Sequence, residues 1–249
     1  MAATVKTWIV LPTYNEAENL GRLIDDLLGL DAALSILVVD DDSPDGTGVI
    51  AEERAARHGS VHVVHRKGER GLGTAYLAGF RETLARGAEA VVTMDCDYSH
   101  DPAQVPELVA ALERADVVVG SRYAPGGRIV GWSWHRRILS RSANRFVHAL
   151  FHLPASDCTS GFRVYRRGVL ERIPWTSVRS TGYSFLVESL LWASRQDGAR
   201  IAEVPITFRD RHEGKSKLGW REAVHGAANL LRVWGRGPHA EAGESERRR

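Results

Sequence analysis

The chain has 249 residues, 43% of them hydrophobic and 26% charged, which is enough to fill the core of one globular domain. Its 33 basic and 31 acidic residues leave a formal net charge of +2, so the composition gives no global signal for nucleic acid and we expect no nucleic-acid partner. No run approaches the ~18 apolar residues of a membrane-spanning helix, we expect no signal peptide, and two cysteines without CxxC spacing favour a reducing compartment.

The first half of the chain alternates apolar runs with segments of helical periodicity. Apolar runs, mostly rich in Val and Ile, predict five strands, over residues 8–11, 35–40, 61–65, 90–94 and 116–120. Apolar spacing and turn residues predict helices through 20–28, 47–58 and 71–87, and a further helix that starts at Asp101 and Pro102. We expect Thr13 or Asn15 to cap the first helix. The alternation predicts an α/β fold with a mostly parallel, Rossmann-like central sheet and helices on both faces.

The pattern changes after residue 123. Residues 125–127 form a predicted loop, 132–152 a long amphipathic helix, 164–165 a short strand, 183–195 a helix and 201–209 an edge strand. A loop rich in Gly, Lys and Ser follows at 211–219, before a last amphipathic helix at 220–234. We therefore expect a single domain over residues 1–234 and a polar, disordered tail over residues 235–249.

Two acidic clusters follow predicted strands. Residues 40–42 follow the second strand, and Asp95 and Asp97 follow the fourth. In extended backbone, side chains two residues apart point the same way, so Asp95 and Asp97 can aim at one spot. Carboxylates suit Mg²⁺ or Mn²⁺, which often bridge a protein to substrate phosphates. A lone acidic tripeptide is more often a solvated turn or a helix cap, and we interpret Asp101 as a cap. The position after a buried strand favours a metal site for Asp95 and Asp97.

Seven stretches of the sequence form an ordered set. They are residues 11–16 (LPTYNE), 39–47 (VDDDSPDGT), 71–76 (GLGTAY), 94–100 (MDCDYSH), 120–123 (GSRY), 156–163 (SDCTSGFR) and 214–218 (GKSKL). With them the chain resembles the family 2 glycosyltransferases with a GT-A fold, and within these the dolichyl-phosphate (polyprenyl-phosphate) mannose synthases, over about residues 7–220. Family members often carry glycine where Asp42 stands and alanine where Cys96 stands. Both positions can act through the backbone.

The resemblance implies three groups of binding residues. One surrounds the donor nucleotide, one holds a divalent metal, Mg²⁺ or Mn²⁺, against the sugar diphosphate with help from a basic loop, and one binds the acceptor phosphate. The donor group is Pro12, Tyr14, Glu16, Val39, Asp41 and Cys96; the metal group is Asp95, Asp97 and Ser99; the loop supplies Arg211 and Lys217; the acceptor group is Arg122, Arg136 and Ser140.

Each group also has an ordinary structural explanation. Pro12 and Val39 can serve as strand-end packing, the basic loop can be solvated, and Arg136 and Ser140 can decorate an exposed helix. The resemblance instead implies that Asp95, Asp97, Arg122 and Arg136 act in catalysis. A planar guanidinium matches the oxygens of a phosphate, which suits both arginines to an acceptor of this kind.

The resemblance also implies an activity, the inverting transfer of mannose from GDP-mannose to a polyprenyl (dolichyl) monophosphate. A phosphate with a second pKa near ~6 is largely ionised at neutral pH, so it is itself the nucleophile and needs no carboxylate base. Asp157 stands where related hydroxyl-glycosylating enzymes place their base, and we expect it to orient Arg163 or the sugar hydroxyls. Two alternatives remain: transfer of glucose from UDP-glucose to the same lipid, and a non-catalytic nucleotide-sugar or lipid-phosphate binding module.

Two predicted helices indicate where a lipid substrate would meet the protein. The helix at 132–152 combines aromatic and apolar residues, among them Trp132, with a basic face, and the last helix adds apolar residues such as Leu231. This composition suits interfacial helices on an anionic membrane. Packing on the domain core is the alternative. We expect peripheral association with the cytoplasmic face of a membrane, and a membrane-anchoring protein partner is left open.

Overall fold

A computed structural model describes residues 5–30, 34–178, 180, 182–210 and 231. The strands are β1 (Thr7–Thr13), β2 (Leu34–Asp40), β3 (Val61–His65), β4 (Ala90–Thr93), β5 (Val117–Ser121), β6 (Arg128–Val130), β7 (Arg163–Arg166), β8 (Ile201–Pro205) and β9 (Thr207–Arg209). The helices are α1 (Ala17–Leu28), α2 (Thr47–Arg57), α3 (Leu72–Ala85), α4 (Val105–Ala110), α5 (Trp134–Phe151), α6 (Arg167–Arg172) and α7 (Tyr183–Ser194). They confirm the predicted alternation of strands and helices.

Seven of the described strands form one sheet, in the order β3-β2-β1-β4-β7-β5-β8. All neighbours pair in parallel except β7, which runs antiparallel to β4 on one side and to β5 on the other. A second, two-stranded sheet joins β6 to β9. The carboxyl ends of β1, β2, β4 and β5 therefore share one edge of the large sheet, where open α/β sheets bind their ligands.

The core consists of two apolar clusters, one on each face of the large sheet. Trp8 and Val10 of β1 belong to the cluster that includes side chains of α3 and α7. Ile9 and Leu11, the intervening residues, belong to the cluster that includes side chains of α1 and α4. Because neighbouring residues of a strand point to opposite faces, a strand covered on both sides must be apolar throughout. This explains the continuous apolar run from which β1 is predicted.

The structure corrects the predicted cap of α1. Glu16, not Thr13 or Asn15, stands at the N-cap position, and its side chain caps no N–H group. The backbone N–H groups of Glu16 and Ala17 instead donate to Thr47 Oγ1 at 2.9 Å and to Asp45 Oδ2 at 3.0 Å. The caps therefore come from a neighbouring segment of the fold, which local spacing does not reveal.

Three other differences concern short elements. β6 follows directly on the predicted loop at 125–127, and α6 follows β7 without a break. The segment predicted as one edge strand is divided into β8, at the edge of the large sheet, and β9, in the small one. β6, β9 and α6 have three to six residues and, unlike the equally short β4 and β5, no continuous apolar run that marks them in the sequence.

Several predictions concern parts of the chain outside the described residues. These are the loop at 211–219 with Arg211 and Lys217, the last helix at 220–234 apart from Leu231, and the tail at 235–249. The single domain over residues 1–234 likewise stays a prediction. Within the described ranges, none of the helices combines the length and the apolarity that crossing a bilayer requires.

Replacing Gly79 by alanine is expected to destabilise the fold. A Cβ atom at Gly79, in the middle of α3, would lie 2.4 Å from Cγ1 of Val10, which is fully buried in β1. The overlap should outweigh the gain in helix propensity and lower the free energy of unfolding by roughly 1–3 kcal/mol, as overpacking of cores does. Urea denaturation measures the difference.

Gly168 provides the matched control. It lies in α6, and a Cβ atom there would meet nothing within 4 Å. Gly168→Ala should therefore leave the stability unchanged or slightly raise it. Equal effects of the two substitutions would contradict the close packing of α3 on β1.

Candidate active site

Asp95 and Asp97 leave the end of β4 and turn toward the ligand edge of the sheet. Cys96 between them is buried in the apolar cluster that includes α1, and burial, the largest cause, raises the pKa of its thiol. Asp97 is also buried, and its Oδ1 accepts the N–H of Ser99 at 3.0 Å. Oδ1 of Asp95 lies 3.5 Å from the position that a Cβ of Gly161 would occupy. The segment before β7 thus approaches the acidic pair closely.

Ser99 presents a polar atom with an unused bonding capacity. Its hydroxyl is buried and has no hydrogen-bond partner among the described residues. An unpaired buried hydroxyl is costly, so its position beside the Asp97 carboxylate suggests that a ligand completes it. No group of three His, Cys, Asp or Glu side chains suited to a metal occurs in the described residues. Two carboxylates and a hydroxyl nevertheless fit Mg²⁺ or Mn²⁺, which commonly take one or two carboxylates and complete their shell with substrate phosphates.

His100 supports the acidic turn from within. Its ring stacks on Phe162 with 5.0 Å between the centroids, and its Nδ1 accepts the N–H of Asp95 at 3.2 Å. Burial lowers the pKa of His100, against the opposing effect of the charges of Asp95 and Asp97. The imidazole is therefore neutral at pH 7, as an Nδ1 acceptor must be.

The residues predicted to surround the nucleotide lie together at the ends of β1 and β2. Pro12 and Val39 are partners in the register of these strands. The Tyr14 ring lies against the guanidinium of Arg70, 4.5 Å from its centroid to Cζ. Glu16 stands at the start of α1, close enough to Cys96 to influence its thiol electrostatically. The fold therefore brings the ends of these two strands and the acidic turn to one edge.

Asp41 is engaged by two donors of the protein itself. Its Oδ1 accepts from Nε of Arg66 at 2.7 Å, and its Oδ2 accepts the N–H of Gly71 at 2.9 Å. Arg66 is buried and also donates to the carbonyl of Gly71 at 3.3 Å. Asp41 and Arg66 thus join the end of β2 to the glycine-rich start of α3. Arg66 was not predicted as a functional residue, although it directly follows β3 at the ligand edge.

Arg122 and Asp157 form a buried ion pair at the end of β5. Nε of Arg122 donates to Oδ2 at 2.7 Å, Nη2 donates to Oδ1 at 2.6 Å, and the backbone N–H of Arg122 also donates to Oδ2, at 3.0 Å. Burial acts to raise the pKa of Asp157, but the charge and hydrogen bonds of Arg122 outweigh it and hold this pKa below its usual value. Asp157 is therefore ionised, and its oxygens are occupied by Arg122.

This pairing corrects the expected role of Asp157. We expected it to orient Arg163 or sugar hydroxyls, but its carboxylate accepts from Arg122 and, at 3.3 Å, from Thr159 Oγ1. Arg163 is fully buried and donates to the carbonyls of Leu186 at 2.6 Å and Cys158 at 2.7 Å. The bidentate geometry of Arg122, reinforced by its own N–H, explains the preference.

The three residues predicted to bind the acceptor phosphate lie in one cluster. Cζ of Arg136 lies 4.1 Å from the ring centroid of Trp132, and Cζ of Arg122 lies 5.5 Å from the same centroid. The hydroxyl of Tyr123 donates to Ser140 Oγ at 2.7 Å. Arg136 also donates to Asp210 at 2.9 Å. Trp132 is buried, so its predicted place on an interfacial face is wrong, because it packs against the two arginines and Phe208.

Two further residues complete the cluster. Thr159 Oγ1 accepts from Nη2 of Arg122 at 2.7 Å and from the amide of Asn144 at 3.1 Å. Asn144 is buried on α5, one turn after Ser140, and it also accepts the N–H of Cys158 at 2.8 Å. Helix α5 is therefore attached to the segment before β7. Sequence reasoning missed Asn144, although a polar residue on the core face of an amphipathic helix is a recognisable signal.

The sheet order, the ligand edge and the acidic turn after β4 define the class of the fold, an α/β fold of the GT-A type. Glucosyl-3-phosphoglycerate synthase from Mycobacterium tuberculosis, solved with Mn²⁺, UDP and phosphoglyceric acid, shares the fold with a TM-score of 0.69 at 24% identity, over 94% of this chain and 80% of that one. A mannosyltransferase from Pyrobaculum calidifontis, solved with GDP-Man and Mn²⁺, gives a TM-score of 0.61 at 18% identity, over 93% of this chain and 65% of that one.

The chain belongs to glycosyl transferase family 2, whose model matches residues 8–174. It is 44% identical to a polyprenol monophosphomannose synthase of Mycolicibacterium smegmatis over 237 residues, which cover 93% of this chain and 88% of that protein. It is 43% identical to an undecaprenyl-phosphate mannosyltransferase of Micrococcus luteus over 226 residues, which cover 91% of this chain and 92% of that protein. The family resemblance expected from the sequence motifs is confirmed.

Substitution of Asp157 by asparagine is expected to lower stability strongly at neutral pH. It removes the negative charge from a buried ion pair while the Arg122 guanidinium stays buried, and breaking such a pair typically costs about 3–5 kcal/mol. Because folding depresses the pKa of Asp157, the stabilisation is present above the ordinary carboxyl pKa of ~3.9 and is lost as the pH falls through the lower, folded value. Urea denaturation of both proteins at several pH values should show the gap narrowing below pH ~4.

Asp25→Asn is the control. Asp25 pairs with Arg54 at 2.9 Å, but its side chain is 52% exposed, so its loss should cost no more than about 1 kcal/mol. A similar cost for both substitutions would argue against a buried, charged Asp157.

Proposed function

We propose that this protein transfers mannose from GDP-mannose to a polyprenyl (dolichyl) monophosphate, with inversion, and releases polyprenyl phosphate mannose and GDP. The observation that carries the proposal is the pair of arginines that pack against Trp132, with Ser140 close by, at the sheet edge that also bears Asp95 and Asp97. Two guanidinium groups at an acceptor position suit a phosphate better than a neutral sugar hydroxyl. The two relatives named for polyprenol and undecaprenyl-phosphate mannose transfer support the same substrates.

The donor nucleotide would occupy the ends of β1 and β2. Tyr14 offers an aromatic face that Arg70 already backs, and the lone pairs of Asp41 not used by Arg66 and Gly71 can accept from the base or ribose. Pro12, Val39 and Glu16 would line the same place. Arg211 and Lys217 would close over the diphosphate from the segment after β9, which begins beside the acidic turn because Arg209 N–H donates to the Ser99 carbonyl at 3.1 Å.

Asp95 and Asp97, with Ser99, would hold a divalent metal, Mg²⁺ or Mn²⁺. When bound, such an ion supplies positive charge that neutralises the diphosphate leaving group. The neutral His100 keeps the backbone of Asp95 in place, and the Ser99 N–H fixes the Asp97 carboxylate. Rigid support of this kind reduces the reorganisation that catalysis requires.

The acceptor phosphate would attack without help from a base. Asp157, the nearest buried carboxylate to this cluster, is held by three donors of Arg122 and has a lowered pKa, so it is a poor proton acceptor. Its effect is to fix the direction of the Arg122 guanidinium. A lipid phosphate is already ionised at neutral pH, so positioning and charge stabilisation suffice.

The lipid acceptor implies a membrane surface. We propose that the protein associates peripherally with the anionic surface of the cytoplasmic face of a membrane. A membrane-anchoring protein partner is compatible with this proposal. The long, amphipathic α5 supports this, because it contributes Arg136 and Ser140 to the acceptor cluster and exposes apolar side chains elsewhere on its surface.

A donor panel tests the proposed reaction. With a short polyprenyl phosphate and Mg²⁺ or Mn²⁺, labelled GDP-mannose should give a lipid-linked product, whereas UDP-glucose should give none and a chelator should abolish transfer. Asp97→Asn should lower kcat by about 100-fold or more, the scale of losing one preorganised electrostatic group. Asp101→Asn, which alters only a helix cap, is the control. Product from UDP-glucose alone would favour the glucosyl alternative, and donor binding without turnover would favour a binding module.

The pH profile tests whether the acceptor phosphate is its own nucleophile. Turnover should rise with pH through about 6, the second pKa of the acceptor phosphate, and then level off. An acceptor phosphonate, whose second pKa is higher, should move this rise to higher pH by the same difference. A rise that stays at one pH for both acceptors would instead assign it to a base on the protein.

A further inference from the structure

A basic groove lies beside the acceptor cluster. It has a volume of about 620 Å³ and is formed between α5 and residues 154–156. Arg141, Arg145 and His148 line its helical side. Their spacing of four and three residues puts them on one face of α5. These three side chains are outside the set of residues that the proposed reaction uses. The groove also reaches Asn144 and Tyr123 of the acceptor cluster, and the Tyr123 hydroxyl donates to Ser140.

The charges of this groove are not balanced within the described part of the chain. Arg141 and Arg145 are exposed, and neither forms an ion pair with a described residue. The acidic residue near the other wall, Glu203, has its carboxylate occupied by the N–H groups of Ser156 and Asp157 and by the Ser156 hydroxyl, at 2.9–3.0 Å. Two guanidinium groups one helical turn apart repel each other unless an anion lies between them.

Helix α5 also exposes an apolar surface. Ile138, Leu139 and Phe146 are 55%, 61% and 45% exposed. Asn144 and Val147 are the buried residues of the helix. At 100° per residue, the three apolar side chains begin next to the face that bears Arg141, Arg145 and His148 (the basic stripe) and extend over the side of α5 that faces away from the buried residues. An apolar surface next to a basic stripe is the pattern of helices that lie in the headgroup region of a bilayer.

We propose that the basic groove binds the phosphate of an anionic phospholipid, and that this contact docks α5 on the membrane with Ile138, Leu139 and Phe146 toward the acyl chains. Charge complementarity selects the ligand, because the unpaired guanidinium groups of Arg141 and Arg145 match phosphate oxygens. The Tyr123 ring lies 5.7 Å from Cζ of Arg141 while its hydroxyl contacts Ser140. A phospholipid bound in the groove would therefore hold the acceptor cluster at the level of the phosphate groups of the bilayer.

Vesicle flotation tests the groove. The full chain should bind phosphatidylcholine vesicles that contain phosphatidylglycerol far more tightly than vesicles of phosphatidylcholine alone. Arg141→Gln with Arg145→Gln should weaken binding to the anionic vesicles by roughly 30-fold, from about 1 kcal/mol for each arginine at the surface. The control is Arg81→Gln with Arg114→Gln, which removes the same charge from exposed positions on other elements. It should change binding by no more than about threefold, because distant surface charges are screened.

The apolar surface is tested in the same assay. Leu139→Ser should weaken binding to anionic vesicles. When Leu139→Ser is added to the double glutamine variant, the lipid preference of the residual binding should stay nearly unchanged. Thermal unfolding of every variant should match that of the unmodified chain, since all these side chains are exposed. Equal losses in the groove and control variants, or no preference for phosphatidylglycerol at low salt, would overturn the proposal. Neither readout needs turnover, so a failure of the proposed mannosyl transfer would be seen separately.

Discussion

The buried ion pair of Arg122 and Asp157 is the interaction on which the β5 side of the ligand edge depends. It joins the end of β5 to the segment before β7, and its members hold further partners in turn. Arg122 donates to Thr159, and the N–H of Asp157 donates to Glu203 in β8. Breaking such a pair leaves an uncompensated charge in the interior, which costs more than the pair itself contributes. The orientation of Arg122 is thus set by the fold before any substrate arrives.

A second buried pair, that of Asp41 and Arg66, organises the β2 side of the same edge. It joins the end of β2 to the start of α3, as the first pair joins β5 to the segment before β7. In both, one carboxylate receives a guanidinium and a backbone N–H, so its orientation is determined by several donors at once. The acidic turn after β4 lies between them in the sheet order. An enzyme that acts on charged substrates needs charged side chains held in fixed positions, and the two pairs supply them on both sides of the ligand edge.

The sequence predicts well what depends on local pattern. The strands of the parallel sheet follow from continuous apolar runs, and the position of Asp95 and Asp97 at the ligand edge follows from the buried strand β4 before them. Partners distant in the sequence are different. Nothing local indicates that Asp157 pairs with Arg122 rather than with Arg163. The local sequence is equally silent on the hydrogen bonds from the start of α1 to Thr47 and Asp45, and on the packing of Trp132 against two arginines. These contacts arise from the packing of whole helices and strands. The sequence motifs identify the residues of the site, but they do not show which of these residues contact each other.

The antiparallel strand β7 has a consequence for how the molecule opens. It pairs with β4 on one side and β5 on the other, in the interior of the large sheet, while the segment that precedes it contacts both Asp95 and Arg122. Local unfolding usually begins at sheet edges and loops, where few hydrogen bonds must break. Here the ends of β2 and β5 can separate only if the middle of the sheet breaks. The two sides of the ligand edge are therefore lost or kept together when the molecule opens.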